Sequence, residues 1–477
     1  MRNRALAVGL VAAFMTLLDV SIVNVAIPSI QADLGVGTSG LQWILSGYAL
    51  TFGLLLVPAG RLGDARGIRG VFVAGLLGFT LASAVAGAAR NELWLVTARL
   101  VQGAAAGVLN PQVTGLIQRL YPPPERGHPF GLLGATIGIA TAIGPLLGGV
   151  LIQLGGSAEG WRWVFYINVP VGVLAAVLGW RLIPRRPAER RRRESLDPVG
   201  VVLLGAAVVQ ILLPLVQERQ WQGNAKWLLV ATGLATLAVF MAWERRFARR
   251  GVPLIELGLF RVPSYGLGTT LVLLYFAGFT ANFFIFTLLL QRGHGYSALE
   301  AGLAITPFAL GSAVAAFVGG RIVNRLGRPL VALGLVTVIA GLTATIVVLR
   351  LVPQVSPGVT MALPLLVAGT GSGLVITPNQ TLTLAEVPVD RSGSAAGVVQ
   401  TAQRVGAAFG IATIGSVFFA RLNATGGDWT AALQGSLTAS IGFMLLALLA
   451  AATDILRTRH AAARAGRDPA TRATRQD

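Results

Sequence analysis

Gly60-Arg61-Leu62-Gly63-Asp64-Ala65-Arg66-Gly67 and Gly320-Arg321-Ile322-Val323-Asn324-Arg325-Leu326-Gly327 carry one pattern, repeated 260 residues apart. The first follows an apolar run over 41–59, the second an apolar run over 299–320. A membrane-spanning helix needs about 20 mainly apolar residues. Against that length the chain divides into fourteen runs: 5–28, 41–59, 70–89, 93–117, 130–153, 163–183, 198–216, 226–243, 265–290, 299–320, 329–350, 359–383, 393–420 and 431–453. The patterned stretches follow the second and the tenth run, eight helices apart. Six helices per repeat plus two inserted helices produce that offset. The expected fold is therefore an all-α polytopic membrane protein with 14 transmembrane helices. Its parts are an N-terminal six-helix bundle (1–183), two inserted helices with Arg-rich linkers (184–264), a C-terminal six-helix bundle (265–453) and an Arg-rich tail (454–477). Duplicated halves with a pathway between them are a transporter architecture.

Composition agrees. Of 477 residues, 54% are hydrophobic and 12% charged, and the mean hydropathy is +0.71. A soluble domain carries about 25% charged residues, so a soluble protein of this length is excluded. Fourteen spans use about 280 residues, which leaves short connections and no large soluble domain. The first run is too long for a signal-peptide core and is read as a retained helix. The 60 glycines suit close helix packing in a membrane. No Cys is present, so thiolate metal sites, disulfides and iron–sulfur clusters are excluded. His128, His294 and His460 fall in or beside loops and tails, a poor supply for a metal site. The single lysine, Lys226, precedes Trp227, so no Gly-Lys-Ser/Thr phosphate loop exists. No metal or cofactor is expected.

The net charge of +19 is distributed asymmetrically. With the N-terminus in the cytoplasm, that side holds 29 Arg, and the opposite loops hold 7 Arg or Lys. That asymmetry is the positive-inside signature. It places both termini in the cytoplasm and makes Arg190–Arg193 and Arg245–Arg250 topology signals facing anionic lipid. Nucleic acid is not an expected partner. The stretch Arg457–Asp477 reads as a mobile basic tail.

Few polar residues interrupt the spans. Asp19 lies mid-way along the first, in Leu18-Asp19-Val20-Ser21-Ile22-Val23-Asn24-Val25-Ala26-Ile27-Pro28. A charge at that depth costs on the order of 3 kcal/mol and tends to mark a proton, ion or substrate path. The bland alternative is a structural hydrogen bond to a neighbouring helix. Arg99 and Gln102 share a face of the fourth run, beside Gly103, which admits a close neighbour. Arg keeps its proton, so Arg99 either biases a nearby acid, meets water and substrate, or forms a structural ion pair. Arg404, with Gln400 and Gln403, is its counterpart in the second half. The fifth run holds the small pairs Gly134/Gly138 and Gly144/Gly148, with Pro145 and Gly149, and reads as a closely packed, bent helix. Asn282 is a further cavity candidate. The sequon Asn423-Ala424-Thr425 is read as chance.

These stretches, in order, resemble the major facilitator superfamily, and within it the fourteen-helix drug:proton antiporters. Leu18–Pro28 looks like that family's first-helix motif, and Gln42-Trp43 to Tyr48 like its second-helix start. Gly60–Arg69 resembles the cytoplasmic gating motif, and Arg99–Gly103 the proton-coupling motif. Gly144-Pro145-Leu146-Leu147-Gly148-Gly149 is similar to the antiporter motif. Trp161-Arg162-Trp163-Val164-Phe165-Tyr166-Ile167-Asn168-Val169-Pro170, Pro253–Arg261 and Arg391–Gly410 add family-like stretches. The resemblance implies alternating access between two six-helix bundles, with proton entry driving export of an amphipathic, often cationic compound. It implies cation recognition or proton coupling for Asp19 and assistance of proton transfer for Arg99, and Asn24, Gln102, Asn282 and Arg404 are counted with them as proton-coupling or substrate candidates. It implies a gating role for Gly60, Asp64, Arg66, Gly67, Arg69 and Asn324, with Asp64 helping to latch the cytoplasmic side, and it places Gly144, Pro145, Gly148 and Gly149 in the antiporter motif. Two departures stand out. Asn324 replaces the acid of the first gating motif, and no mid-membrane acid lies in the second half, which argues against divalent cations. The expected partners are a small amphipathic substrate, protons and the bilayer of the cytoplasmic membrane, with no obligate protein partner. The alternatives are an exporter dedicated to one metabolite, self-made antibiotic or lipid and, more remotely, a membrane-embedded enzyme or a non-transporting receptor.

Overall fold

The computed structural model describes residues 2–156, 159–185, 197–217, 221, 223, 225–352 and 356–465. The clusters at Arg190–Arg193 and the tail beyond Ala465 lie outside the described residues. Every regular element among the described residues is helical. The first half comprises α1 (Arg2–Leu34), α2 (Thr38–Arg66), α3 (Ile68–Gly87), α4 (Glu92–Leu120), α5 (Gly127–Gly155) and the tandem α6 (Trp161–Tyr166) and α7 (Asn168–Leu182). Then come α8 (Pro198–Val216) and α9 (Lys226–Phe247). The second half comprises α10 (Pro263–Leu288), α11 (Ala298–Leu326), α12 (Arg328–Leu351), the single turn α13 (Pro357–Thr360), α14 (Ala362–Thr383), α15 (Ser392–Ala424) and α16 (Trp429–Ala465).

The repeated octapeptide has a local purpose. Gly67 ends α2 at φ +97° and donates its N–H to Gly63 O at 3.0 Å. Gly327 ends α11 at φ +60° and donates to Val323 O at 2.7 Å. A positive φ is open to Gly without a Cβ penalty, so each helix stops there and the next starts one residue later. Pro170 lacks the N–H that would reach Tyr166 O, and the sixth run is accordingly interrupted between α6 and α7.

The halves pack alike. In the first, α1 meets α5 and α7, α2 meets α4, and α3 meets α4 and α7. In the second, α10 meets α15 and α16, α11 meets α14, and α12 meets α14 and α16. The seams between halves are α2 against α15 and α5 against α11, again an equivalent pair. The inserted α8 lies beside both α2 and α15, and α9 packs on α8. Asp197 caps α8, accepting from Gly200 N at 3.0 Å and from Trp243 Nε1 on α9 at 2.8 Å.

Among the described residues, 13 helices are long and apolar enough to cross a membrane. The remaining long helix, α4, has 29 residues, but Glu92, Arg99, Gln102, Asn110, Gln112 and Arg119 dilute its hydropathy. It is packed between α2 and α3. Large apolar side chains such as Leu81 and Leu154 point outward, 68% and 81% exposed, as a lipid-facing surface requires. The last helix does not stop at 453, where hydropathy falls. It runs to Ala465, and buried Asp454, just beyond that run, makes an ion pair of 2.5 Å with Arg328 on α12.

Candidate functional site

Glycines bring the charged helices together. A Cβ at Gly103 would lie 2.3 Å from Tyr48 O, and one at Gly107 2.4 Å from Phe52 O, so α4 rests backbone to backbone on α2. A Cβ at Gly144 would meet Ser21 Oγ at 2.0 Å, and one at Gly148 would meet Ile22 Cγ1 at 2.9 Å. Ser21 Oγ also donates to Ala140 O at 3.2 Å. The glycines of α5 thus seat the turn of α1 that carries Asp19.

Asp19 is fully buried and accepts three hydrogen bonds. Arg99 Nη1 donates to Oδ2 at 2.6 Å, while Gln102 Nε2 and Asn168 Nδ2 donate to Oδ1 at 2.9 and 3.2 Å. Arg99, also buried, donates from Nε to Ile44 O at 3.1 Å and from Nη1 to Gln102 Oε1 at 2.7 Å. Its guanidinium lies over the Tyr48 ring, 4.2 Å from the centroid. Asn168 donates on to Ser83 Oγ at 3.0 Å, and Ser83 donates to Phe165 O at 2.9 Å. Residues of α1, α2, α3, α4, α6 and α7 therefore converge on one carboxylate. A buried ion pair survives only when its remaining donors and acceptors are satisfied, and this one is. Protonating Asp19 would leave Arg99 as an uncompensated buried cation, a state that must relax.

A second cluster joins the halves at the end bearing the octapeptides. Asp64, buried at the end of α2, accepts from Gly393 N at 3.0 Å, Ser394 N at 2.8 Å and Ser394 Oγ at 3.0 Å. Those are first-turn N–H groups of α15, which has no capping side chain of its own. Arg119 of α4 pairs with the same carboxylate at 3.2 Å. The approach is close because a Cβ at Gly60 would fall 2.1 Å from Gly393 O. The equivalent seam is made differently. Gly127 and Gly131 of α5 lie against Gly320 of α11, and Asn324 Nδ2 donates to Pro124 O.

The family profile described as Major Facilitator Superfamily matches residues 9–411. The chain belongs to the Major Facilitator Superfamily. It is 37% identical to the "Probable actinorhodin transporter" of Streptomyces coelicolor, over 88% of this chain and 73% of that one. It is 33% identical to the "Tetracenomycin C resistance and export protein" of Streptomyces glaucescens, over 88% and 76%. With the "Multidrug resistance protein Stp" of Mycobacterium tuberculosis it shares 32%, over 86% and 75%. The crystal structure of the human organic anion transporter MFSD10 (TETRAN) superposes with a TM-score of 0.68 at 16% identity, over 94% of this chain and 99% of that one. The proton:xylose symporter XylE gives 0.65 at 15%, over 94% of each. These two share the fold. Superfamily membership makes the chain a multi-pass membrane transporter and not an enzyme.

Within this facilitator fold the expected residues separate into groups. Asp19, Arg99 and Gln102 form one network. Asn24 does not join it: the residue is exposed and its Nδ2 turns back to Val20 O at 3.0 Å. Asn282 is buried between α10 and α16, donating to Gly278 O at 3.0 Å and accepting from Ser440 Oγ at 2.7 Å. Arg404 faces the first half, its guanidinium 4.2 Å from the Phe52 centroid. Among the gating residues, Gly60 and Asp64 meet α15 and Gly67 makes the turn. Arg69 lies over Trp180 at 4.3 Å, and Arg66 is exposed. In the fifth run Gly144 and Gly148 touch α1, Pro145 Cβ lies 3.5 Å from a Cβ placed at Gly302, and Gly149 faces open space. No group of three or more metal-binding side chains occurs among the described residues. Sequence reasoning assigned no role to Asn168, Ser83, Gly393 or Ser394. Asn168 did carry a signal, an amide beside Pro170 in an apolar run. Ser83 carried none, since hydroxyls are common in membrane helices.

Proposed function

We propose that this transporter is a proton-driven antiporter that exports amphipathic small molecules from the cytoplasm by alternating access. The observation that carries the reading is Asp19: a fully buried carboxylate held by Arg99, Gln102 and Asn168. Proton uptake at Asp19 removes its charge and weakens its hold on Arg99, and with it the contact between α1 and α4. Release restores the pair. The Asp64 contact with α15 is the latch that holds the cytoplasmic end closed while the other end exchanges protons and substrate. In this reading α4 also crosses the membrane, giving fourteen spans with both termini in the cytoplasm, as the distribution of 29 against 7 basic residues supports. One proton crossing 100 mV supplies about 2.3 kcal/mol, and one pH unit adds about 1.4 kcal/mol. Together they sustain a substrate gradient on the order of several hundred-fold, enough for export without ATP. Drug export is supported by the resistance proteins among the relatives. Export of one self-made compound is the second reading, supported by the actinorhodin and "Cephamycin export protein CmcT" relatives.

The test is transport in vesicles with an imposed pH gradient, at matched expression. Asp19→Glu should keep part of the transport and Asp19→Asn little, because only the acid titrates. A merely structural pair is separated from a titrating one by the neutral double variant Asp19→Asn/Arg99→Gln, which strands no charge: it recovers gradient-driven transport if the pair only holds the helices together, and stays inactive if the acid carries protons. Arg99→Lys should impair transport by losing the planar fork, and Arg99→Ala more so. Transport by Asp19→Asn at the wild-type rate, still driven by the pH gradient, removes Asp19 from the mechanism.

A further inference from the structure

Arg404 lies at the seam between the halves with no acid beside it. It makes no ion pair among the described residues, although every buried acid near the seam or in the first bundle has its own partners. Asp19 is held by Arg99, Gln102 and Asn168, Asp64 by Arg119 and the start of α15, and Asp454 by Arg328. Helices α10, α12, α14 and α15 contain no Asp or Glu at all, and Glu300 of α11 is spent capping its own helix through Ser297. The Arg404 guanidinium, half-buried, rests on the face of Phe52, a residue of the other half. Phe52 stacks with Tyr48 at 6.1 Å between centroids, and Arg99 lies over Tyr48. An aromatic pair thus separates the compensated arginine from the uncompensated one. A phenyl face recovers only part of what a cation loses on leaving water.

Unpartnered polar atoms occur on the neighbouring turns of the same helix and on Tyr48. Tyr48 Oη, Gln400 Oε1 and Thr401 Oγ1 are buried without a hydrogen-bond partner among the described residues. Gln400 and Thr401 precede Arg404 by four and three residues, so they share its helix face. Gln400 Nε2 donates to Thr114 Oγ1 on α4 at 3.2 Å, which holds that amide at the seam. The group therefore combines a guanidinium fork, a phenol, an amide and a hydroxyl, contributed from both halves. A planar fork fits a carboxylate bidentately.

We propose that Arg404 is the anchor for an anionic group on the exported molecule, its guanidinium backed by the Phe52 ring. The substrates are then acidic amphipathic compounds, in place of the cations that the family resemblance implied. The proposal rests on the export reading above and names its substrate class. It has a consequence for energy coupling. Exchange of one anion outward for one proton inward moves two positive charges inward, so the membrane potential drives it directly. Exchange of one cation for one proton moves none.

The test uses purified protein in lipid nanodiscs and three fluorescent probes with one body: dansylglycine (carboxylate), dansylglycinamide (neutral) and N-(2-aminoethyl)dansylamide (ammonium). Wild-type protein should bind dansylglycine about tenfold or more tighter than the amide, as expected for loss of a charge-assisted hydrogen bond, and the ammonium most weakly. Arg404→Gln should bring acid and amide within about threefold of each other, while Arg404→Lys keeps part of the preference and shows that the site is still folded. Equal or tighter binding of the amide or the ammonium by the wild type overturns the proposal. So does an acid preference that survives in Arg404→Gln, or the absence of saturable binding of all three probes. Binding is read without any gradient, so failure of proton coupling leaves this result standing, and a failed preference leaves the Asp19 test intact.

Discussion

Removing the Asp64 carboxylate should open the octapeptide-bearing end of the bundle. The carboxylate replaces a missing N-cap on α15 by accepting from Gly393 N and Ser394 N, and also accepts from Ser394 Oγ and Arg119. Truncating a capping side chain to Ala costs about 1 kcal/mol. Loss of a negative charge at a helix N-terminus adds about 0.3–1 kcal/mol at the surface and up to about 2 kcal/mol when partly buried. The Arg119 pair, with Arg119 22% exposed, adds up to about 1 kcal/mol. Asp64→Ala thus removes about 1–4 kcal/mol from the conformation in which α2 and α15 touch, a shift of about 10- to 1,000-fold in a two-state equilibrium. Asn can still cap through its one oxygen, so Asp64→Asn should lose the charge terms and the hydrogen bonds at the other oxygen, and shift less than Ala. The absence of native Cys makes the assay simple. Spin labels at Arg66→Cys and Asp390→Cys, exposed positions on opposite sides of this seam, report its distance distribution by pulsed electron resonance. A longer-distance population should grow in the order wild type, Asp64→Asn, Asp64→Ala. Identical distributions in all three would refute the latch, and so would a larger shift in Asn than in Ala.

Two other outcomes follow from packing and charge. Gly148→Leu should abolish most transport while the protein still inserts, because even a Cβ there lies 2.9 Å from Ile22 Cγ1 and 3.3 Å from Ile22 O. Overpacking of that kind costs about 1–3 kcal/mol and displaces the turn bearing Asp19; wild-type efflux at normal expression would contradict this. Reporter fusions after Arg193 and Arg250 should lie in the cytoplasm and fusions near Gly223 and Gly427 outside, and termini found on opposite sides of the membrane would exclude fourteen spans.

Apolar runs of membrane length, the octapeptide repeated at 260 residues and the skewed arginines were enough to read an all-helical, duplicated membrane transporter. These features are local or periodic, and the hydrocarbon solvent enforces them segment by segment. Asp19, Arg99 and Gln102 were legible for the same reason, since a charge or amide in an apolar run is costly wherever it sits. Their partners were not. Arg99 lies 80 residues from Asp19 and Asn168 lies 149 residues from it, and no spacing along the chain announces either contact. The acceptor role of Asp64 was equally hidden. Its octapeptide suggested a latch, but the N–H groups it holds belong to the start of a helix some 330 residues away. Arg404 read as a second Arg99, and only packing set them apart. Gly103 and Gly107 draw α4 onto α2, while Gly144 and Gly148 draw α5 onto α1, placing Asp19 within reach of Arg99. On the opposite half Arg404 is left facing a phenyl ring with no carboxylate beside it. Hydropathy depends on each segment's own composition, whereas ion pairing depends on which backbones glycine lets approach, and that choice exists only once the helices are packed.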